Sequence, residues 1–275
     1  MESTAVLRQQ KAALVAYIFV VFVFVVLPVV YAFTGAFRGA LPSSWWQNFW
    51  PSNPTVEGFT QAFERIPLGR QVVNSVIVTI LQTGCQVFTA ILAATALVFG
   101  QLRWRNVYFG LIMLTMMLPS ESIIVSRFLL INDMGLFDTI AAVFLPFAAA
   151  AFPIFLLRQR FLSFPREVFE AATLDGATPL RFAFRILVPL NKPTIFTVTV
   201  TSAISAWNGY LWPLLISETS ASRTVQIGIS QLSNSEAANP GVVLAGVVIA
   251  TLPMVCLVLM GNRYLTRGLT EGAGK

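Results

Sequence analysis

Side chains able to do chemistry are scarce in this chain of 275 residues, and what is missing narrows its function first. There is no histidine, which removes the commonest general base and metal ligand. The two cysteines, Cys85 and Cys256, both lie in apolar runs; they are expected as small packed residues, too few for a disulfide framework. No G-x-x-x-x-G-K-[ST] stretch occurs, so the chain lacks that phosphate-cradling loop. No catalytic centre, metal site or bound cofactor is expected. What remains are polar and aromatic residues inside apolar runs. Glu121 and Arg127 share one run, and ionisable groups there are costly and so are candidates for function. Six helical positions turn through about 600°, so the two point about 120° apart and are not an intrahelical pair. Arg127 suits a bidentate oxyanion such as phosphate, with Glu121 balancing it or facing a choline-like cation. The competing reading has each satisfied by a partner surface or by snorkelling to the interface. Trp207, Asn208, Tyr210 and Trp212 form an aromatic–polar cluster loosened by Gly209 and Pro213. They are candidates to line a solute path, by cation–π contact for a quaternary ammonium, while Trp212 also suits an interfacial anchor.

The elements that must position these residues are apolar. Hydrophobic residues make up 56% of the chain and charged ones 11%, against about 25% charged in soluble domains. That leaves too little polar surface to cover a water-soluble globule, and a bilayer is the solvent that fits. Apolar runs fall at about 12–34, 72–99, 107–131, 139–157, 194–216 and 241–262. The first is too long for a signal-peptide core, and each is near the roughly 20 residues a crossing requires. The expected fold is all-α: a single membrane domain over 1–275 with six transmembrane helices. Thirteen basic residues fall on the side holding the N-terminus, the 100–106 loop, the 158–193 segment and the C-terminus, and four on the other side. This places both termini in the cytoplasm and explains the net charge of +6 without nucleic acid. The outer loop at about 35–71 carries Trp45, Trp46 and Trp50, which suits an interfacial belt next to lipid.

The longest inside segment, 163–193, is not a random linker. Pro165 suits a first helical turn, and Arg166 to Leu174 contains no helix breaker. Asp175-Gly176 then offers a turn in which glycine takes positive φ. A second short helix is expected from Pro179 to Leu187, ended by Pro189 and Pro193. Phe169, Ala172 and Thr173 cluster on the first helix, and Leu180, Phe184 and Leu187 on the second. Such apolar faces, flanked by Arg181 and Arg185, suit docking into a groove of a soluble partner or lying flat on the membrane.

The segment resembles the EAA loop of bacterial ABC-importer permeases, in which Glu-Ala-Ala is followed by three residues, Gly, nine residues and Ile-x-Leu-Pro. Glu170, Ala171, Ala172, Gly176, Ile186 and Pro189 occupy that pattern, with Val188 in place of its leucine. The runs Met117–Glu121, Phe155–Gln159 and Trp207–Ile216 are similar to those of permeases for sn-glycerol-3-phosphate and glycerophosphodiesters such as glycerophosphocholine. These belong to the sugar-type group that includes the maltose permease. The resemblance implies a non-catalytic subunit of an importer in the bacterial inner membrane, multi-pass, forming half of the pathway. Its implied partners are a second, different permease, two ATPase subunits carrying ATP and Mg, and an extracytoplasmic solute-binding protein. The 163–193 helix–turn–helix, between the fourth and fifth spans, would couple to the ATPases through Glu170, Ala171, Ala172, Asp175, Gly176, Ile186 and Pro189. A permease for maltose, trehalose or another sugar is the nearest alternative. A secondary transporter would need coupling-ion carboxylates near the membrane centre and usually paired halves, and a membrane enzyme would need converging nucleophile, acid and base.

Overall fold

The computed structural model describes residues 13–38, 49, 53–234 and 239–273, without the side chains of 260–273. Trp45, Trp46, Trp50, Arg8, Lys11 and Lys275 lie outside the described residues. Every described element is helical. The chain divides into two compact units, one of residues 1–68 and 228–252, the other of 69–227 and 253–275.

In the first unit, α1 (Ala13–Ala36) is a continuous apolar helix of 24 residues. It contains one π-helical turn, Phe22–Val26, just ahead of Pro28. Proline has no N–H to donate and its ring crowds the carbonyl four residues back, so a wider turn relieves the helix there. The second half of the expected outer loop is itself a helix, α2 (Glu57–Arg65). Ala36, Phe37 and Phe59 pack against Leu244, Ala245 and Val248 of α13 (Pro240–Ala273). A Cβ at Gly241 would lie 2.6 Å from the Arg38 carbonyl oxygen, so only glycine permits that backbone approach.

The second unit is built around α3 (Leu68–Phe99), 32 residues long. Beside it, three helical runs are interrupted. α4 (Arg105–Met117) turns through 93° at Leu118–Pro119 and a 3-10 turn before α5 (Ile124–Asp133). α6 (Ile140–Phe147) and α7 (Ala151–Leu162) meet at 42°. α10 (Lys192–Trp207) and α11 (Leu211–Ile216) are separated by a break at Asn208–Tyr210. α12 (Val225–Asn234) and α13 contribute residues to both units.

Three described helices are long and apolar enough to cross a membrane (Ala13–Ala36, α3 and Pro240–Leu259), and up to five spans result if each bent pair counts as one. The run at 194–216, expected to be loosened by Gly209 and Pro213, is divided into helices of 16 and 6 residues.

Buried non-helical backbone must find hydrogen-bond partners within the protein, and a polar row on α3 supplies them. Gln86 Nε2 donates to the Phe147 carbonyl at 2.8 Å and Thr89 Oγ1 to that of Ala148 at 3.2 Å, closing the gap between α6 and α7. Asn74 Nδ2 donates to the carbonyls of Ser220, Ala221 and Arg223 at 2.9–3.2 Å. Ser75 Oγ accepts from the Val225 N–H at 2.8 Å. Both cysteines are free; Cys85 is half-buried, whereas Cys256 is exposed on α13, not packed in a core as expected.

Candidate functional site

The 163–193 segment forms two helices. The first, α8, spans Arg166–Leu174, the stretch free of breakers. Gly176 has φ +77°. Its N–H donates to the Thr173 carbonyl at 3.0 Å, and the Ala177 N–H donates to that of Ala172 at 2.9 Å. These are the two bonds of a Schellman cap, which uses glycine at C′ for its positive φ. Thr178 caps the next helix by accepting from the Arg181 N–H at 3.3 Å.

That second helix, α9 (179–190), runs beyond the expected end and contains Pro189. A π-turn at Ala183–Leu187 absorbs the proline, standing at the same offset from Pro189 as the π-turn of α1 from Pro28. The break comes at Asn191, with φ −115° and ψ 27°. Asn191 is 1% exposed; its Nδ2 donates to the Leu187 carbonyl at 2.8 Å and its Oδ1 accepts from Arg160 Nε at 2.9 Å. This ties the end of α7 to the end of α9.

Of the faces expected for docking, Phe169, Ala172 and Leu187 are turned inward, while Thr173, Leu180 and Phe184 are exposed. Phe169 lies 5.0 Å from Phe99 and 4.9 Å from Phe182, ring centre to ring centre. Phe99 also meets Phe182 at 5.1 Å. Ala172, Phe182, Ala183 and Leu187 belong to one core with α3, α7 and Val198 of α10. The physical reason is that α3 and α7 offer these side chains apolar surface within the same chain, so burial there removes them from water. Phe184 remains partly exposed and stacks on Phe88 at 5.9 Å. The tip faces outward too: Leu174 is 89% exposed, with Glu167, Glu170, Ala171 and Asp175 also exposed. Ile186 is half-buried and Pro189 exposed.

The intramembrane candidates separate into two groups. Arg127 on α5 packs its guanidinium 4.6 Å from the Phe147 ring centre and 5.4 Å from that of Trp212. Trp212 is buried, donating Nε1–H to the Ala142 carbonyl at 3.0 Å, which assigns it to the packed interior and not to an interfacial belt. Phe147, Tyr210 and Trp212 also line a cavity of about 170 Å³ beside the α10–α11 break. The other candidates stand apart from it. Glu121 is exposed on the 3-10 turn and accepts from Ser120 Oγ at 2.8 Å, so no Glu121–Arg127 pair forms. Trp207 is buried, its carbonyl accepting from Gln226 Nε2 at 3.4 Å, and Asn208 is exposed at the break. Thr197, Thr199 and Thr201 on α10 donate back to carbonyls four residues earlier at 2.8–3.0 Å, a local satisfaction of hydroxyls inside an apolar helix.

Asp138, between α5 and α6, has no counterpart among the sequence candidates. It sits at φ +57°. Its carboxylate accepts from the N–H groups of Glu218 and Thr219 at 2.9 and 3.0 Å, from the Thr219 hydroxyl at 2.6 Å, and from the Ser222 hydroxyl. Desolvation pushes this carboxyl up, but the hydrogen bonds from Ser222, Thr219 and Glu218 together outweigh it and hold the pKa at about 2. The α3 row and the Phe99 nest were missed as well. The row had a signal: polar residues at 71, 74, 75, 82, 86 and 89 recur at helical spacing along one apolar run.

A family model for the binding-protein-dependent transport system inner membrane component matches residues 86–270. The sn-glycerol-3-phosphate transport system permease protein UgpE of Rhizobium meliloti is 35% identical over 230 residues, covering 80% of this chain and 82% of that one. The protein of the same name from Yersinia pestis is 36% identical over 207 residues, covering 74% of each. Among solved structures, a bacterial ABC transporter involved in the import of the acidic polysaccharide alginate superimposes with TM-score 0.83 at 23% identity, covering 96% of this chain and 98% of that one. The matched stretch includes the α8–α9 pair, the broken α10–α11 run and the C-terminal part of α3 from residue 86, and the chain belongs to this family: it is an inner-membrane component of a binding-protein-dependent transport system.

Proposed function

We propose that this chain is one of two permease subunits of an ATP-driven importer and carries sn-glycerol-3-phosphate or glycerophosphodiesters across the bacterial inner membrane. A second permease completes the pathway, two ATPase subunits bind from the cytoplasm, and an extracytoplasmic binding protein delivers the solute. The chain crosses the membrane six times with both termini inside; the bent pairs α4–α5 and α6–α7 and the broken α10–α11 run count as three of the crossings. It hydrolyses nothing itself: ATP and Mg are held by the partner subunits.

The observation that carries this reading is the α8–α9 pair. Its tip presents Leu174, Glu170 and Ala171 to solvent while its inner face is packed into one core with α3, α7 and α10. A soluble motor that moves the tip therefore moves three membrane helices with it. The solute is inferred from the names of the relatives and is consistent with a cation, Arg127, held on aromatic rings of the second unit.

The test is ATP hydrolysis by the four-component importer in liposomes, with the binding protein present. Stimulation by sn-glycerol-3-phosphate or glycerophosphocholine supports the proposal. Stimulation by maltose or trehalose alone would keep the subunit and discard the solute, and failure to copurify with any ATPase would remove both.

A further inference from the structure

The cavity beside the α10–α11 break has walls of mixed aromatic and polar character. Phe147, Trp212 and Tyr210 form one side, and Gln82 of α3 and Ser205 of α10 add polar groups. Gln82 is 7% exposed, and its amide has no hydrogen-bond partner among the described residues. Asn74 and Gln86, eight and four residues away on α3, each hold backbone carbonyls. A buried amide left unpaired beside paired neighbours calls for an explanation, and here the amide lines a cavity. Aromatic walls with a few convergent polar groups are the composition of a small-molecule site. At about 170 Å³ the cavity lies below the ~300–1,000 Å³ of sites for drug-sized ligands, a size that suits a three-carbon polyol.

We propose that this cavity is a solute subsite for the hydroxyl-bearing end of a small polyol phosphate, with Gln82 as the residue that distinguishes hydroxyls from hydrocarbon. Arg127 sits on the same two rings that wall it, so positive charge stands next to the site for the phosphate end. A polar side chain placed to bond a solute hydroxyl disfavours the analogue lacking it, because the buried group is then left unpaired. The inference rests on the glycerol phosphate reading of the solute.

The experiment is binding of radiolabelled sn-glycerol-3-phosphate to the importer in nanodiscs, with the binding protein omitted so that its own selectivity does not intervene. Propyl phosphate, which keeps the charge and loses the hydroxyls, is the competitor. In Gln82→Leu, affinity for sn-glycerol-3-phosphate is expected to fall about tenfold, the scale of one lost hydrogen bond, while propyl phosphate competes within about twofold of its wild-type strength. Equal losses for both compounds would mean a packing defect and overturn the subsite. Unchanged preference in a complex that still binds sn-glycerol-3-phosphate would overturn the subsite and leave the solute reading intact. Wild-type binding of maltose with neither phosphate compound would overturn both. Should Gln82→Leu fail to assemble, Ser205→Ala decides: a preference narrowed about threefold supports the subsite, and an unchanged one overturns it.

Discussion

One backbone angle at Gly176 decides whether α8 and α9 can be joined by so short a turn. A Cβ there would meet nothing within 4 Å, so the obstacle to substitution is conformational: φ +77° costs an L-residue about 1–2 kcal/mol, and a β-branched one more. Gly176→Val is expected to abolish uptake while the protein still inserts, whereas Gly176→Asn, tolerant of that region, keeps most of it; transport assays on matched membrane preparations check both. Asp138 makes the opposite case, a charged residue whose role is to hold two loops. Its pKa is depressed from 3.8 to about 2, so its contribution to stability is fully present above the unfolded value and is lost as pH falls through about 2. The protection of the Glu218 and Thr219 amides, relative to intrinsic exchange at each pH, is expected to hold down to about pH 4 and to fall below it; Asp138→Asn should lower it at neutral pH. The Gly176 turn was legible because Asp-Gly is a local signal. Asp138 was not, because its partners are 80 or more residues away and nothing near it announces them.

Among the elements, proline placement was readable and its consequence was not. Pro189 was expected to end a helix, but at both Pro28 and Pro189 a π-turn two to six residues earlier keeps the helix going. Position alone does not separate these outcomes, since a widened turn and a break both relieve the same clash. The true break at Asn191 depends on its side chain holding the Leu187 carbonyl. Asn191→Ala, which strands buried partners, is expected to lower stability by about 1–3 kcal/mol, read as a lower thermal midpoint of the purified protein. The Phe99 nest has a larger effect. Phe182 is fully buried, and Phe182→Ala is expected to cost about 3–5 kcal/mol. In a complex that still forms, it should also reduce solute-stimulated ATP hydrolysis more than unstimulated hydrolysis. The apolar pattern of α8 and α9 identified two amphipathic helices. It could not say which face meets the membrane domain, because an apolar face looks alike whether it packs within the chain or against a partner.

For the whole molecule, composition and the distribution of basic residues outlined a polytopic membrane protein, and the family match agrees with that outline. Leu174 is where the chain offers itself to a neighbour: at 89% exposure it stabilises nothing within the described fold. Leu174→Asp is therefore expected to leave membrane insertion unchanged and to weaken ATPase copurification at least tenfold; retention of the ATPase at wild-type yield would remove the proposed contact. The interruptions in α6–α7 and α10–α11 were only partly legible, since hydropathy records apolar length and not continuity. The partners on α3 of the α6–α7 gap and of the loop after α11 also fix an order in time. Asn74, Gln86 and Thr89 all precede in the chain the carbonyls they hold, at 147, 148, 220, 221 and 223. Synthesis runs from the N-terminus, so α3 leaves the ribosome before either segment that depends on it. Each of these two non-helical stretches thus folds with its hydrogen-bond donor already present.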